Sequence, residues 1–439
     1  MYRIFLFLMA TVVCVAQTQP QMELSLKQAV DLALSPDGAT RMKLAKEVIA
    51  AAEARRGQAL SALLPNVDGS TTYANQTVNL RSFGINFAIP GLGSTPSLVG
   101  PFSTVDVRAT ATQSIFDFAA IKRYQASRAG VDQAKLERES ETDFTIERVS
   151  RAYLTALRAQ ALVEADRANV ELAQQLLDLA QAQKRAGTGT GIEITRAQVQ
   201  LANEKQQLVV AENELDRASL YLLRETGVNL AAAVRLTDAM EYQTTPLETA
   251  EAALQKAQQN RSDLKAQQKQ ETAARMNYDA VKWERLPSIA ATGNYGAIGL
   301  TDGPILPTRV YGATLRIPVF DGGRRDARRA EAASLLRSQQ IRTRDLTQQI
   351  DLELRLAIDG IRASETQVQT AREGLTLAQN ELEQARRRYE AGVTVPLELT
   401  DAQSRLARAR DNYVAALYSH NLARVDLTSA MGTLSQTVR

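Results

Sequence analysis

The stretch AGTGTGIEITRAQVQL (186–201) aligns without a gap with AGVTVPLELTDAQSRL (391–406), at an offset of roughly 205 residues. Each stretch joins two long helical patterns, so the chain reads as an internal duplication. Leu64-Pro65 with Val67 and Tyr73 corresponds to Leu286-Pro287 with Ile289 and Tyr295, and Ile115-Phe116-Asp117 corresponds to Val319-Phe320-Asp321. Residues 17–226 form the first expected repeat and 227–439 the second. Between the landmarks the offset shrinks by about 18 residues, which makes the connection inside the first strand pair the longer one.

Outward from the two turns, 186–192 and 391–397, a single heptad register runs through both copies. Val149, Ala156, Val163, Val170 and Leu177 recur every seven residues, as do Leu354, Ile361, Val368, Leu375 and Leu382. Three residues on, the position is small: Ala152, Ala159, Ala173 and Ala180, then Ala357, Ser364, Ala371, Ala378 and Ala385. After the turns come Ile194, Leu201, Leu208, Leu215 and Leu222 in one copy, and Leu399, Leu406, Tyr413, His420 and Leu427 in the other. Large side chains against small ones make a seam for close antiparallel helix pairing. A continuous helix from Phe116 to Gly187 would reach roughly 100 Å, and such helices stay soluble only against many like neighbours.

Elsewhere the period changes from helical to alternating, over about 66–80, 103–115, 288–300 and 308–319. Val105, Val107, Ala109 and Ala111 oppose Asp106, Arg108, Thr110 and Thr112; Tyr311, Ala313, Leu315 and Ile317 oppose Gly312, Thr314 and Arg316. Each run has the length of a tilted membrane strand. Pro90, Pro96 and Pro101 are expected to break the first connection, and Gly303, Pro304 and Pro307 the second. Four strands cannot close a barrel and open edges are not tolerated in lipid, so oligomerisation is required; three chains would supply about twelve strands. A soluble hairpin capping a helical bundle is the other reading of these segments.

Arg3, the apolar run Ile4–Val15 and the polar Gln17-Thr18-Gln19-Pro20 have the layout of a cleavable secretory signal over 1–16. Cys14 is the sole cysteine and lies in that segment, which leaves the mature chain without disulfide or thiolate chemistry; lipidation at Cys14 is disfavoured by Val13 before it. The chain carries 52 Lys and Arg against 49 Asp and Glu, without a block of like charge, so nucleic acid is not an expected partner. One histidine, His420 at a large seam position, is too little for a catalytic or metal centre, and no cofactor is expected. Gly187-Thr188-Gly189-Thr190-Gly191 lacks the ending of a phosphate loop and reads as a turn.

The order of helix, strand pair, long helix, turn and shorter helix, given twice, resembles the outer membrane efflux protein family. The opening LSLKQAVDLAL, the two Leu-Pro breaks, IFDFA, VFDGG and the paired Ala-Gly turns carry the resemblance over nearly the whole mature chain. It implies a mainly α fold: a long coiled-coil helical tunnel in the periplasm with four strands per chain contributing to a trimeric twelve-stranded barrel in the outer membrane. It implies a passive exit duct, serving efflux or type I secretion, that docks a periplasmic adaptor and an inner-membrane pump. Glu398 and Asp401 match the family's gate carboxylates, with Glu193 the counterpart of Glu398 in the first copy. Repeated by threefold symmetry they would draw cations to the constriction; the other reading is that they complement helix dipoles. Tyr389 is a latch or simple packing. Gly187, Thr188, Gly392 and Val393 match turn positions that meet the adaptor, although their local physics is helix termination. Some members latch with an arginine where this chain has Thr394, so that salt bridge is not expected here. The turns also diverge, Gly191 facing Pro396 and Arg196 facing Asp401. A structural or adhesive envelope coiled coil without transport is the alternative function.

Overall fold

The computed structural model describes residues 22–35, 38–84, 88–89, 93–94, 96–246, 248–391, 393 and 396–438. The secretory-signal segment, Pro90, Gly392 and Thr394 lie outside them. In chain order the elements are β1 (Met22–Leu24), α1 (Leu26–Leu34), α2 (Thr40–Ser61), β2 (Asn66–Asn79), the short β3 (Ala88–Ile89) and β4 (Gly93–Ser94), β5 (Leu98–Phe116), α3 (Phe118–Arg185) and α4 (Gly191–Thr226). There follow β6 (Val234–Leu236), α5 (Ala250–Asn260), α6 (Ser262–Trp283), β7 (Ser288–Leu300), β8 (Ile305–Arg316), α7 (Arg324–Glu390), α8 (Pro396–Ala430) and α9 (Leu434–Val438). The protein is mostly helical, as the period analysis and the family resemblance both imply. Helices α3 and α7, of 68 and 67 residues, each contribute their first part to one compact unit and the remainder to another.

One unit comprises residues 1–44, 141–261 and 350–439. Here the later parts of α3 and α7 meet α4 and α8, and the seam residues Val149, Ala156, Ile361, Leu354, Leu222 and Leu399 are buried. Small positions follow them inward: Ala159, Ala173, Ala180, Ser364 and Ala385 are buried too. A second feature has no heptad origin. Strands β1 and β6 pair in parallel, Met22 opposite Val234, and Tyr153 of α3 donates its hydroxyl to Leu24 O at 3.1 Å. Burial, reinforced by Asp238, raises the Tyr153 pKa far above the ordinary phenol range. His420 is fully buried, with Nε2 at 2.8 Å from Gln243 O and Nδ1 at 3.2 Å from Ser364 Oγ, so its seam position is used for fastening a strand-like segment onto α7 and α8.

The other unit comprises residues 45–140 and 262–349. Its sheet is antiparallel in the order β2-β5-β7-β8, so β5 and β7 join the two copies and β2 and β8 are left as edges. Along β5 the expected alternation shows in exposure, Val107, Ala109 and Ala111 exposed and Arg108 and Thr110 half-buried, with Arg108 and Asp106 paired at 2.7 Å. Strands β2 and β8, by contrast, are exposed on nearly every residue, Val67, Tyr73, Tyr311 and Leu315 among them. Pro101 does not break the connection; it lies inside β5, where the β2 partner register shifts between Gln76 and Val78 and pairing with β7 has yet to begin. A bulge at a singly paired stretch does not need the missing N–H. The last strand runs Ile305–Arg316, three residues N-terminal of the alternating span. Pro307 does not break the connection but lies inside β8 opposite Ala297, near the open end of an edge strand, and Pro318 cannot extend the ladder at the other end.

Candidate functional site

Both helix-to-helix turns close by the same bonds. Ala186 N–H donates to Ala182 O and Ala391 N–H to Arg387 O, each at 3.0 Å; Thr188 N–H donates to Gln183 O and Val393 N–H to Arg388 O, again at 3.0 Å. These bonds satisfy carbonyls that a helix end would otherwise strand, and Gly187 supplies the left-handed residue at φ +78°. Gly187, Thr188 and Val393 are exposed, presenting backbone and small side chains at the turns.

The two copies then part. Glu193 completes a capping box: Thr190 N–H donates to Glu193 Oε2 at 3.1 Å, which commits that carboxylate to starting α4. Its counterpart Glu398 instead accepts from Arg388 Nη1 at 2.8 Å, across the turn, where the first copy has Gln183. The dipole explanation for these carboxylates therefore holds in part for Glu193, and Glu398 has an arginine partner that sequence reasoning missed. Asp401 is exposed and forms no ion pair with another described residue.

Tyr389 is buried among Ala385, Leu399 and Ala402, with Leu176, Leu179 and Leu382 against the same cluster. Burial and then the Glu193 charge raise its hydroxyl pKa, so the phenol stays protonated. Glu193, Arg196, Tyr389 and Gln403 line a cavity of about 30 Å³, the size of one water, between helices of both copies. The structure thus brings Glu193 and Tyr389 together, and ties Glu398 to Arg388, leaving Asp401 as the unpaired acid.

A second acidic group lies further along the same helices. Asp166 of α3, Glu204 of α4 and Asp411 of α8 line a cavity of about 590 Å³ with Arg158 and Arg408. Burial raises the pKa of all three; Asp166 and Asp411 push Glu204 further up, while Gln200 Nε2, donating at 2.6 Å, and Asn169 beside Asp166 temper the effect. A signal for this group existed: in the series 152, 159, 166, 173 and 180 every position is alanine except Asp166. Among the described residues no His, Cys, Asp and Glu group could hold a metal, and no helix is long and apolar enough to cross a membrane.

Comparison with known proteins gives one consistent answer. The pattern that defines the outer membrane efflux protein family matches residues 39–228 and 253–433. The chain is 26% identical over 392 residues to the outer membrane protein TolC of Vibrio cholerae, covering 86% of this chain and 84% of that one. It is 25% identical over 339 residues to the alkaline protease secretion protein AprF of Pseudomonas aeruginosa, covering 74% and 69%. Its fold matches the CmeC outer membrane channel of Campylobacter jejuni with a TM-score of 0.77 at 18% identity, over 94% of this chain and 88% of that one.

Proposed function

The chain belongs to the outer membrane efflux protein family, and from that premise we propose how its own residues build and gate an outer-membrane efflux or secretion channel. Three chains close their sheets edge to edge, β8 of one against β2 of the next, into a barrel of about twelve strands. The observation that carries this is the four-stranded sheet itself: its edges β2 and β8 have no strand partner among the described residues, and many of its apolar side chains are exposed with no core to cover them. In lipid such a sheet is stable only when closed. Residues 17–226 and 227–439 act as two repeats of one scaffold, with 1–16 removed on export.

The helical turns serve as the periplasmic mouth. Asp401 and Glu398, ringed by symmetry, set the charge at the constriction; Glu193 and Tyr389 hold the first hairpin against the second. A periplasmic adaptor engages the turns at Gly187, Thr188, Gly392 and Val393, and an inner-membrane pump supplies both energy and choice of cargo. No catalytic step belongs to the channel. The Arg388–Glu398 pair closes the mouth in place of an arginine at 394, and it must part when the turn swings outward. Purified protein in planar bilayers tests the reading: a trimer with cation-preferring conductance is expected. A folded trimer that stays silent even with Glu398 and Asp401 neutralised would instead mark a structural envelope protein.

A further inference from the structure

Helix α7 opens on a cluster of arginines. The stretch Gly322-Gly-Arg-Arg-Asp-Ala-Arg-Arg-Ala-Glu331 places Arg324, Arg325, Arg328 and Arg329 in its first turns, where a helix favours acids. By comparison α4 opens with Glu193, α5 with Glu251, α6 with Asp263 and α8 with Glu398, none of them with a cluster of arginines, while α7 has only Asp326 in its first turn. Neighbouring acids answer some of these arginines and leave others. Asp321 is taken by the backbone and guanidinium of Arg325, Asp326 by Arg285, and Glu284 by both Arg328 at 2.9 Å and Arg123 at 3.6 Å. Arg324 and Arg329 remain exposed, without an ion pair to any described residue.

Beside these cations lies the most exposed large apolar surface described in the chain. Val319 is 93% and Phe320 89% exposed, and Ile317 precedes them. Where β5 passes into α3, Phe116 and Phe118 form a ring row with Trp283 at the end of α6, with centroids 4.6 and 5.9 Å apart, and Lys282 stands 5.5 Å from the Trp283 ring. Gly322 and Gly323, at φ +67° and +86°, make the turn between Phe320 and Arg324, the first residue of α7. Aromatic and aliphatic side chains rimmed by arginines are the chemistry of a lipid interface: apolar groups meet acyl chains, and guanidinium forks meet phosphodiesters.

We propose that Arg324 and Arg329, together with Phe320 and Val319, hold the headgroup of an anionic phospholipid in the periplasm-facing leaflet of the outer membrane. The proposal rests on the placement of β8 in that membrane, since the surface begins three residues after the strand ends. Anionic lipid would then supply the partner that Arg324 and Arg329 lack among the described residues.

The full mature chain is reconstituted into vesicles of phosphatidylcholine alone and of equal parts phosphatidylcholine and phosphatidylglycerol, and the lipids it retains on extraction are counted by native mass spectrometry. Wild type is expected to retain phosphatidylglycerol preferentially, and R324Q/R329Q to lose that preference by about fivefold for each arginine. R342Q/R344Q, exposed arginines further along the same helix, should keep it. F320S should retain less of either lipid. Equal retention by wild type and R324Q/R329Q, an equal loss in R342Q/R344Q, or displacement by inorganic phosphate at matched concentration overturns the proposal while leaving the channel reading intact. Failure to insert into either vesicle overturns both.

Discussion

At the residue level the proposed gate turns on Arg388. Its pair with Glu398 is solvent-exposed and so worth little in stability, but in the proposed mouth it would offset one of the two acids. Asp401→Ala should therefore reduce cation preference more than Glu398→Ala, and Arg388→Gln should increase it; reversal potentials in salt gradients read this directly. A loss confined to Glu398→Ala would place the filter elsewhere. The Asp166, Glu204 and Asp411 group predicts a pH effect. A carboxyl whose pKa is raised in the folded state costs nothing at low pH and destabilises as pH climbs above its unfolded value and through its folded one. Glu204→Gln should then melt higher than wild type by on the order of 2 °C at pH 8, with the gap closing as pH falls toward 5, in detergent thermal scans. Glu398, Asp401, Glu193 and Tyr389 could be proposed from the family resemblance. Their partners could not: Arg388 and Glu398 are ten positions apart across a turn, and their meeting depends on antiparallel register, which residue spacing alone does not determine.

Among the elements, the seam was legible because packing imposes a period and burial follows it closely. Ile361, fully buried, should cost about 2–5 kcal/mol as alanine. The turns make a finer test. Gly187 and Gly227 both sit at positive φ, yet a Cβ at Gly187 meets open space whereas one at Gly227 would come within 2.7 Å of the Gly38 carbonyl carbon. Gly187→Ala should cost about 1 kcal/mol, the left-handed strain alone, and Gly227→Ala distinctly more. Hydrogen exchange should show the first loosening only 183–195, while the second loosens the start of the chain near Gly38 as well. Nothing in the sequence forecast the β1–β6 pair, since strands of three residues carry no measurable period and their partners lie some 210 positions apart. The Pro101 error has a related origin. Proline forbids a ladder bond, but whether a given position owes one depends on which neighbours have begun pairing.

For the molecule as a whole, the sequence leads to the expectation that one chain is not enough, and the folded chain leaves apolar helix faces uncovered. Leu352 and Leu356, one helical turn apart on α7, remain exposed. L352E/L356E is expected to leave the helical content unchanged by circular dichroism while light scattering shows monomers in place of trimers; a trimer surviving both charges would put the subunit seam on another face. The β5–β7 seam bears on how such an assembly comes about. Because it joins the two copies inside one polypeptide, half of the joints in a closed ring form at the high effective concentration of a tethered pair. An unfused half-length chain would need six independent bodies to meet, and its closure rate would fall steeply with dilution. In the proposed trimer the tethered halves lower that molecularity to three, so the ring can close before an exposed edge finds a wrong partner.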